Sequence, residues 1–473
     1  MCFDMTMSSY CESHHRLLMF VSFILLFATC RRGAFANDKS DLPAVKMSNS
    51  LEIDMSKNIP LKPFLYYAVM NGGSTGSRMS VFTFGVEEVT MNKKQIDKNT
   101  TKFKPNLPYY KLILLKECAK RVSPDLTAFV KEPAKVETTI LPLLKKAKDC
   151  IPDIYQAHTF VQLKATGGMR LLTEPEAASI YKEVARTISK SNFSKHSDLA
   201  SSLVGVEEGI FSWITVVYLL REEVHKSNVA TIDMGGASIQ ITYITSDRRS
   251  PRSWLPISVE KARIHTRIMN GHVVNLYTYS YPDHGATTTR RRITTNYCLA
   301  LGDKRLCQSP CLSPKIKNKE VEFNGIVYYI GGARTKDNKI NVEECQKEVL
   351  RVTKLHRTFR YNDELHLKNV YLFSGFFKIA EASGLIEGEG EVKKGNIYAT
   401  AIEEVCGRED HSAELFKCLD LIYMDLLLKV GFGITDEMDV YIYDMIGGVP
   451  ITWTLGYTLY NIQSMTMDAN VLY

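Results

Sequence analysis

The sequence predicts an α/β fold with two similar halves, and three observations lead there. Short apolar runs of strand length alternate with segments of helical periodicity. Two strand–turn–strand units resemble one another, Ala68 to Phe82 and Ala230 to Tyr243. The first turns on Asn71-Gly72-Gly73-Ser74-Thr75-Gly76-Ser77-Arg78, the second on Asp233-Met234-Gly235-Gly236-Ala237-Ser238. They stand one per half of a 473-residue chain, which is long enough for two domains with cores of their own.

Taken in order, the chain opens on a targeting segment. His14-His15-Arg16 precedes the apolar run Leu17 to Ala28, and Ala34-Phe35-Ala36 offers a small-x-small cleavage site. That run suits a signal peptide over residues 1–36 and is short for a membrane span. Residues 37–61 read as a polar, irregular lead-in. Phe64 to Met70 and Met79 to Phe84 are strands on either side of the first turn. Leu107 to Arg121 and Ile140 to Lys148 carry helical periodicity. Glu174-Pro175-Glu176 opens a helix, with proline in the first turn. The segment Glu207 to Glu223 is apolar almost all round, so a buried helix is expected there. Val229 begins the second strand–turn–strand unit. Residues 246–345 are loop-rich and cysteine-rich. Val370 to Ala380, Ile397 to Cys406 and Glu414 to Val430 read as a helical tail, closed by Ile451 to Leu459.

Composition narrows the function class. A net charge of +7 fits an anionic ligand and fits ordinary surface chemistry as well. The run Arg290-Arg291-Arg292 is either a polyanion patch or a solvated loop. After a signal peptide is removed, eight cysteines remain: Cys118, Cys150, Cys298, Cys307, Cys311, Cys345, Cys406 and Cys418. An even set in an oxidising compartment reads as disulfides, and no histidine or CxxC pair stands at zinc-ligand spacing. The sequons at Asn99 and Asn192 are compatible with a secretory route.

The two turns carry the chemistry. Glycine lets a backbone approach an anion closely, and consecutive amides in such a turn form an anion-binding concavity. Tight β-turns would account for either loop alone. Hydrolysing a phosphoanhydride needs such amides, a divalent metal, a positioned water and a base, with catalysis resting on positioning and electrostatics. Asp233, at its strand end, is placed to hold metal-bound water. Glu207 and Glu208 open the buried helix. There they either complement the helix dipole or leave one carboxylate ionised at a cleft to take a proton from water.

Five segments in order resemble the apyrases, the ecto-nucleoside triphosphate diphosphohydrolases. They are Asn71 to Arg78, Ala165 to Leu172, Gly205 to Leu219, Asp233 to Gln240 and Trp453 to Tyr457. The resemblance implies two ribonuclease-H-like domains, of the actin, heat-shock ATPase and sugar kinase type, around a nucleotide cleft. The first domain would span 62–203, completed by 453–473, and the second 204–452 with cysteine-rich insertions. It implies Glu208 as general base, Ser238 and Gln240 orienting the attacking water, and Thr166 near the terminal phosphate. Gly73, Ser74, Thr75, Gly76, Ser77 and Arg78 would bind phosphates, together with Gly235, Gly236 and Ala237. Asp233 and Asn71 would hold Ca²⁺ or Mg²⁺ through water, and Phe376 or Phe377 would stack on the base.

Two departures stand out. Asn71 replaces the family's aspartate, which points to altered metal affinity with catalysis kept, and Val217 replaces an asparagine. The family's cysteines imply the pairs Cys406–Cys418, Cys118–Cys150 and Cys311–Cys345, leaving an exposed Cys298–Cys307 bridge. The implied protein is a secreted or organelle-lumenal hydrolase of nucleoside tri- and diphosphates, with no nucleic-acid partner and no membrane anchor once the signal is cleaved. Its rivals are a nucleotide-binding protein with little turnover, a small-molecule kinase on the same fold, and a polyanion-binding surface protein.

Overall fold

The structure, a computed structural model, describes residues 64–89, 109–221, 225–245, 263–270, 272–301, 304–323, 326–359, 363–408, 414–465 and 470–472. The expected signal peptide, the lead-in and the Asn99 sequon lie outside the described residues.

Both halves are built on one strand order. In the first, β1 (Phe64–Gly73), β2 (Gly76–Val89) and β3 (Tyr109–Val122) form an antiparallel meander. Strand β4 (Val161–Ala165) then lies parallel to β1, and β5 (Ala200–Ser202) parallel to β4, giving the order β3-β2-β1-β4-β5. In the second half, β6 (Val229–Met234) pairs antiparallel with β7 (Ser238–Ile244). Strand β9 (His272–Pro282) pairs antiparallel with β7, and β8 (Ile264–Met269) extends the edge. Asn369–Ser374 lies parallel to β6, and Asp439–Tyr443 parallel to that strand in turn. The order β9-β7-β6 followed by these two strands repeats the first sheet. Sheet order therefore matches the duplication visible in the two turns.

Each sheet has an apolar core on its outer face, one around Ile140, Leu163 and Val184, the other around Ile241, Leu372 and Leu421. A third core lies between the halves, where the helices Gly205–Leu220 and Trp453–Met465 pack against one another and against both sheets. That position explains the all-round apolar sequence of the first helix, because every face of it meets protein. Trp213 is fully buried and donates its indole N–H to the Val229 carbonyl at 3.0 Å. Thr215 Oγ1 donates to the Thr452 carbonyl at 2.7 Å and accepts from the Gly456 amide at 2.8 Å, which fixes the two helices together. The C-terminal strand Asn470–Leu472 joins the first sheet, parallel to β3.

Three elements differ from expectation. Leu107 to Arg121 was expected to be helical, yet its described part belongs to strand β3, paired along the whole of β2. Its buried residues Tyr110 and Leu112 follow the two-residue period of a strand, and the long hairpin partner decides the matter. Val370 begins in a strand, and the helix starts only at Gly375. The segment 246–345 holds β8, β9, the helix Ala286–Thr294 and a four-stranded sheet between Cys298 and Gly332 with its own small core.

All four expected cysteine pairs form disulfides. Cys298–Cys307 is not an exposed bridge, since Cys307 is fully buried where it crosses between neighbouring strands. The arginine run is neither a polyanion patch nor a solvated loop as a whole. Arg290 is bidentate to buried Asp420, at 2.7 and 2.5 Å, and Arg292 donates to the carbonyls of Asp283 and Val352.

Candidate active site

The β1–β2 and β6–β7 turns face each other across a cleft of about 340 Å³. Strand pairing brings them there, because each turn leaves the same end of an equivalent central hairpin. Their approach is close: a Cβ on Gly236 would stand 2.4 Å from Ser74 Oγ, so a larger residue there must displace the Ser74 side chain. The second turn is fixed from behind, where the amides of Ala286 and Thr288 donate to the carbonyls of Gly235 and Gly236 at 3.0 Å each. Arg121 holds the first turn, donating to the Thr75 carbonyl at 3.1 Å and to Thr75 Oγ1 at 2.5 Å.

Glu208 lies in the first turn of the central helix and opens on the cleft between the two loops. Arg170 organises its surroundings. One guanidinium nitrogen donates to Glu208 Oε2 at 2.9 Å and to Ser238 Oγ at 3.0 Å, while the other is anchored on the Leu203 carbonyl at 2.8 Å. Burial pushes the Glu208 carboxyl up to about 7; Arg170 opposes that rise and Asp233 adds to it. Near neutral pH this carboxylate therefore exchanges a proton readily, as a general base must. Gln240 is buried and donates to Ser238 Oγ at 2.8 Å and Ser280 Oγ at 2.9 Å. It stands behind Ser238, and outside the cleft wall.

Asp233 is buried at the end of β6 and accepts from Ser212 Oγ at 3.0 Å. Burial pushes its carboxyl up, while the Ser374 and Ser212 hydroxyls and the Lys378 ammonium pull it back. Asn71 holds the equivalent place on β1, and its buried Oδ1 has no hydrogen-bond partner. Among the described residues no cluster of three or more His, Cys, Asp or Glu could cage a metal. A free amide oxygen and a carboxylate lining one oxygen-rich cleft do suit a hard divalent cation that keeps most of its water.

Of the residues singled out in the sequence, Asn71, Gly73, Ser74, Thr75, Gly76, Arg78, Thr166, Glu208, Asp233, Gly235, Gly236, Ala237 and Ser238 line this one cleft. Arg78 does so while paired with Glu117 at 2.9 Å, so its charge is already compensated. Ser77 is a correction: it is fully buried in β2, and side chains alternate along a strand, so it faces away when Arg78 faces in. Phe376 and Phe377 are a second correction. They are 0% and 4% exposed inside the second core, whereas stacking on a base requires an open ring face. The same helix instead brings Lys378 and Ile379 to the cleft. Sequence reasoning missed Arg121, Ser374, Lys378 and the cleft position of Arg290. Only the arginine run had given a signal, and nothing in it told which of its three members turns inward.

Residues 63–382 match the GDA1/CD39 (nucleoside phosphatase) family. The chain belongs to that family. This nucleoside phosphatase family member is 33% identical to ectonucleoside triphosphate diphosphohydrolase 5 of Bos taurus, across 85% of the chain and 88% of the relative. It is 31% identical to a nucleoside diphosphate phosphatase of Homo sapiens, covering 94% and 97%. A nucleoside-triphosphatase of Pisum sativum is 26% identical, covering 91% and 96%. Among solved structures, a nucleoside triphosphate hydrolase of Neospora caninum aligns over 85% of this chain and 93% of its own. With a TM-score of 0.55 at 11% identity, that likeness shows a shared fold.

Proposed function

We propose that this family member hydrolyses the terminal phosphate of nucleoside diphosphates and triphosphates, with Glu208 as general base. Membership of a nucleoside phosphatase family supports the reaction class. The single observation that carries the mechanism is the Glu208–Arg170–Ser238 constellation, set where the two loops meet.

The amides of both turns and the hydroxyls of Ser74 and Thr75 grip the phosphate chain, and Thr166 contacts its terminal phosphate. A water rests against Ser238 Oγ, which Gln240 and Arg170 hold in one orientation. Glu208 takes the water's proton as its oxygen attacks phosphorus in line. The bond from phosphorus to the bridging oxygen breaks, inorganic phosphate departs, and a nucleotide one phosphate shorter remains. Asn71 and Asp233 would hold Ca²⁺ or Mg²⁺ through water, and that ion when bound neutralises phosphate oxygens.

The apolar run after Arg16 and the four disulfides support a secretory lumen or extracellular setting. No described helix is long and apolar enough to cross a membrane.

The test is phosphate release from ATP, ADP, GTP and UDP, with Ca²⁺ or Mg²⁺ and with chelator. The wild-type protein is expected to turn over at least one substrate, and Glu208→Ala to lose about 10²–10⁴-fold in kcat. Equal rates for the two proteins would remove Glu208 from the mechanism.

A further inference from the structure

The charges lining the cleft do not balance. Arg78 is paired with Glu117, Arg170 with Glu208, and Arg290 with Asp420. Arg121 and Lys378 make no ion pair among the described residues, and both line the cleft. Against these two cations stands one further carboxylate, Asp233, because the equivalent position on β1 is the neutral Asn71. The cleft thus carries surplus positive charge of its own before any metal binds.

Lys378 is the notable member. It sits in the first turn of the helix Gly375–Ala382, its side chain is exposed, and it makes no hydrogen bond among the described residues. Sheet order places it: β7, which opens at Ser238, lies on one side of β6, and Asn369–Ser374, which runs into the helix of Lys378, lies on the other, with Asp233 near the end of β6 between them. Lys378 therefore stands on the far side of Asp233 from Ser238. The phosphate nearest the nucleoside, retained in the product, reaches that side when the terminal phosphate is at Glu208 and Ser238.

We propose that Lys378 is a substrate-binding residue that holds this retained phosphate, so that the protein supplies neutralisation which a second carboxylate at position 71 would have left to the metal. The inference rests on the hydrolase reading above. An ammonium on a flexible stem acts as a point charge suited to a phosphate oxygen. Asn71 adds no negative charge to oppose it. The nucleoside monophosphate product should then bind appreciably even without a divalent ion.

The test is isothermal titration of the full chain with AMP, UMP and GMP, in chelator and in excess Mg²⁺. In chelator, Lys378→Met is expected to weaken monophosphate binding about tenfold, and Lys378→Arg to keep most of it. With Mg²⁺ the loss in Lys378→Met should be smaller. An exposed side chain makes the fold safe, and an unchanged melting temperature would verify it. Wild-type protein that binds monophosphates while Lys378→Met binds them equally well in chelator overturns the assignment alone. Wild-type protein that binds none of them in either condition, and hydrolyses no nucleotide, overturns this inference together with the reading beneath it.

Discussion

At the scale of single residues, the proposed general base Glu208 would come at a cost in stability. Its folded carboxyl, pushed up to about 7 by burial, lies above its ordinary value of 4.5. A raised folded pKa means that the native state binds more protons than the unfolded chain between these values. The contribution of Glu208 to stability is thus full below pH 4.5 and is lost as pH rises through 7. Measured against Glu208→Gln, which does not titrate, wild-type stability should fall by about 2–3 kcal/mol more between pH 5 and pH 8. Urea unfolding of both proteins at the two pH values reads this difference. Parallel pH dependences would show that Glu208 is not buried as a carboxyl. Arg170 limits the penalty and aims the carboxylate, so one guanidinium serves both Glu208 and the Ser238 hydroxyl.

Among the elements, the pair of helices between the sheets decides how the two turns face each other. Their contact is close enough to exclude any side chain at Gly456, where a Cβ would stand 1.9 Å from the Phe211 carbonyl oxygen. Gly456→Ala must push Trp453–Met465 off the central helix, and Glu208 rides on that central helix. We expect a loss of about 3 kcal/mol or more in unfolding free energy, with activity falling in the protein that still folds. Gly407→Ala is the control, since nothing lies within 4 Å of its added carbon. Stability measured by chemical denaturation should barely change there. If Gly456→Ala were as stable as that control, the helices would not be packed as described.

Across the whole molecule, the proposed nucleotide binding would be linked to the joining of the halves. The cleft takes walls from both sheets, and the core beneath it is shared. A ligand that binds only the assembled cleft stabilises the native state by about 2.7 kcal/mol at a hundredfold excess over its Kd. Calorimetry with a non-hydrolysable diphosphate analogue should therefore show one unfolding transition moved to higher temperature. A shift confined to one of two separate transitions would mean that the ligand sits on a single half.

Much of this was legible in the residues. The two glycine turns, the buried helix after Gly205 and the even cysteine set were plain from residue type and spacing. Thirteen of the residues marked for the site do line one cleft. Strand β3 was misread because a run of leucines and lysines satisfies helical and strand periods alike, and only pairing with β2 chooses between them. Ser77, Phe376 and Phe377 were misplaced because motif membership says nothing of the direction in which a side chain points.

The residues alone settled the duplication and the chemistry available at each turn, because both depend on residue identity over a few positions. Tertiary structure alone decided which charges remain unpaired. Arg78, Arg170 and Arg290 find carboxylates 39, 38 and 130 residues away, whereas Arg121 and Lys378 find none among the described residues. Such long-range pairings arise from packing, and packing sets the electrostatics of the cleft.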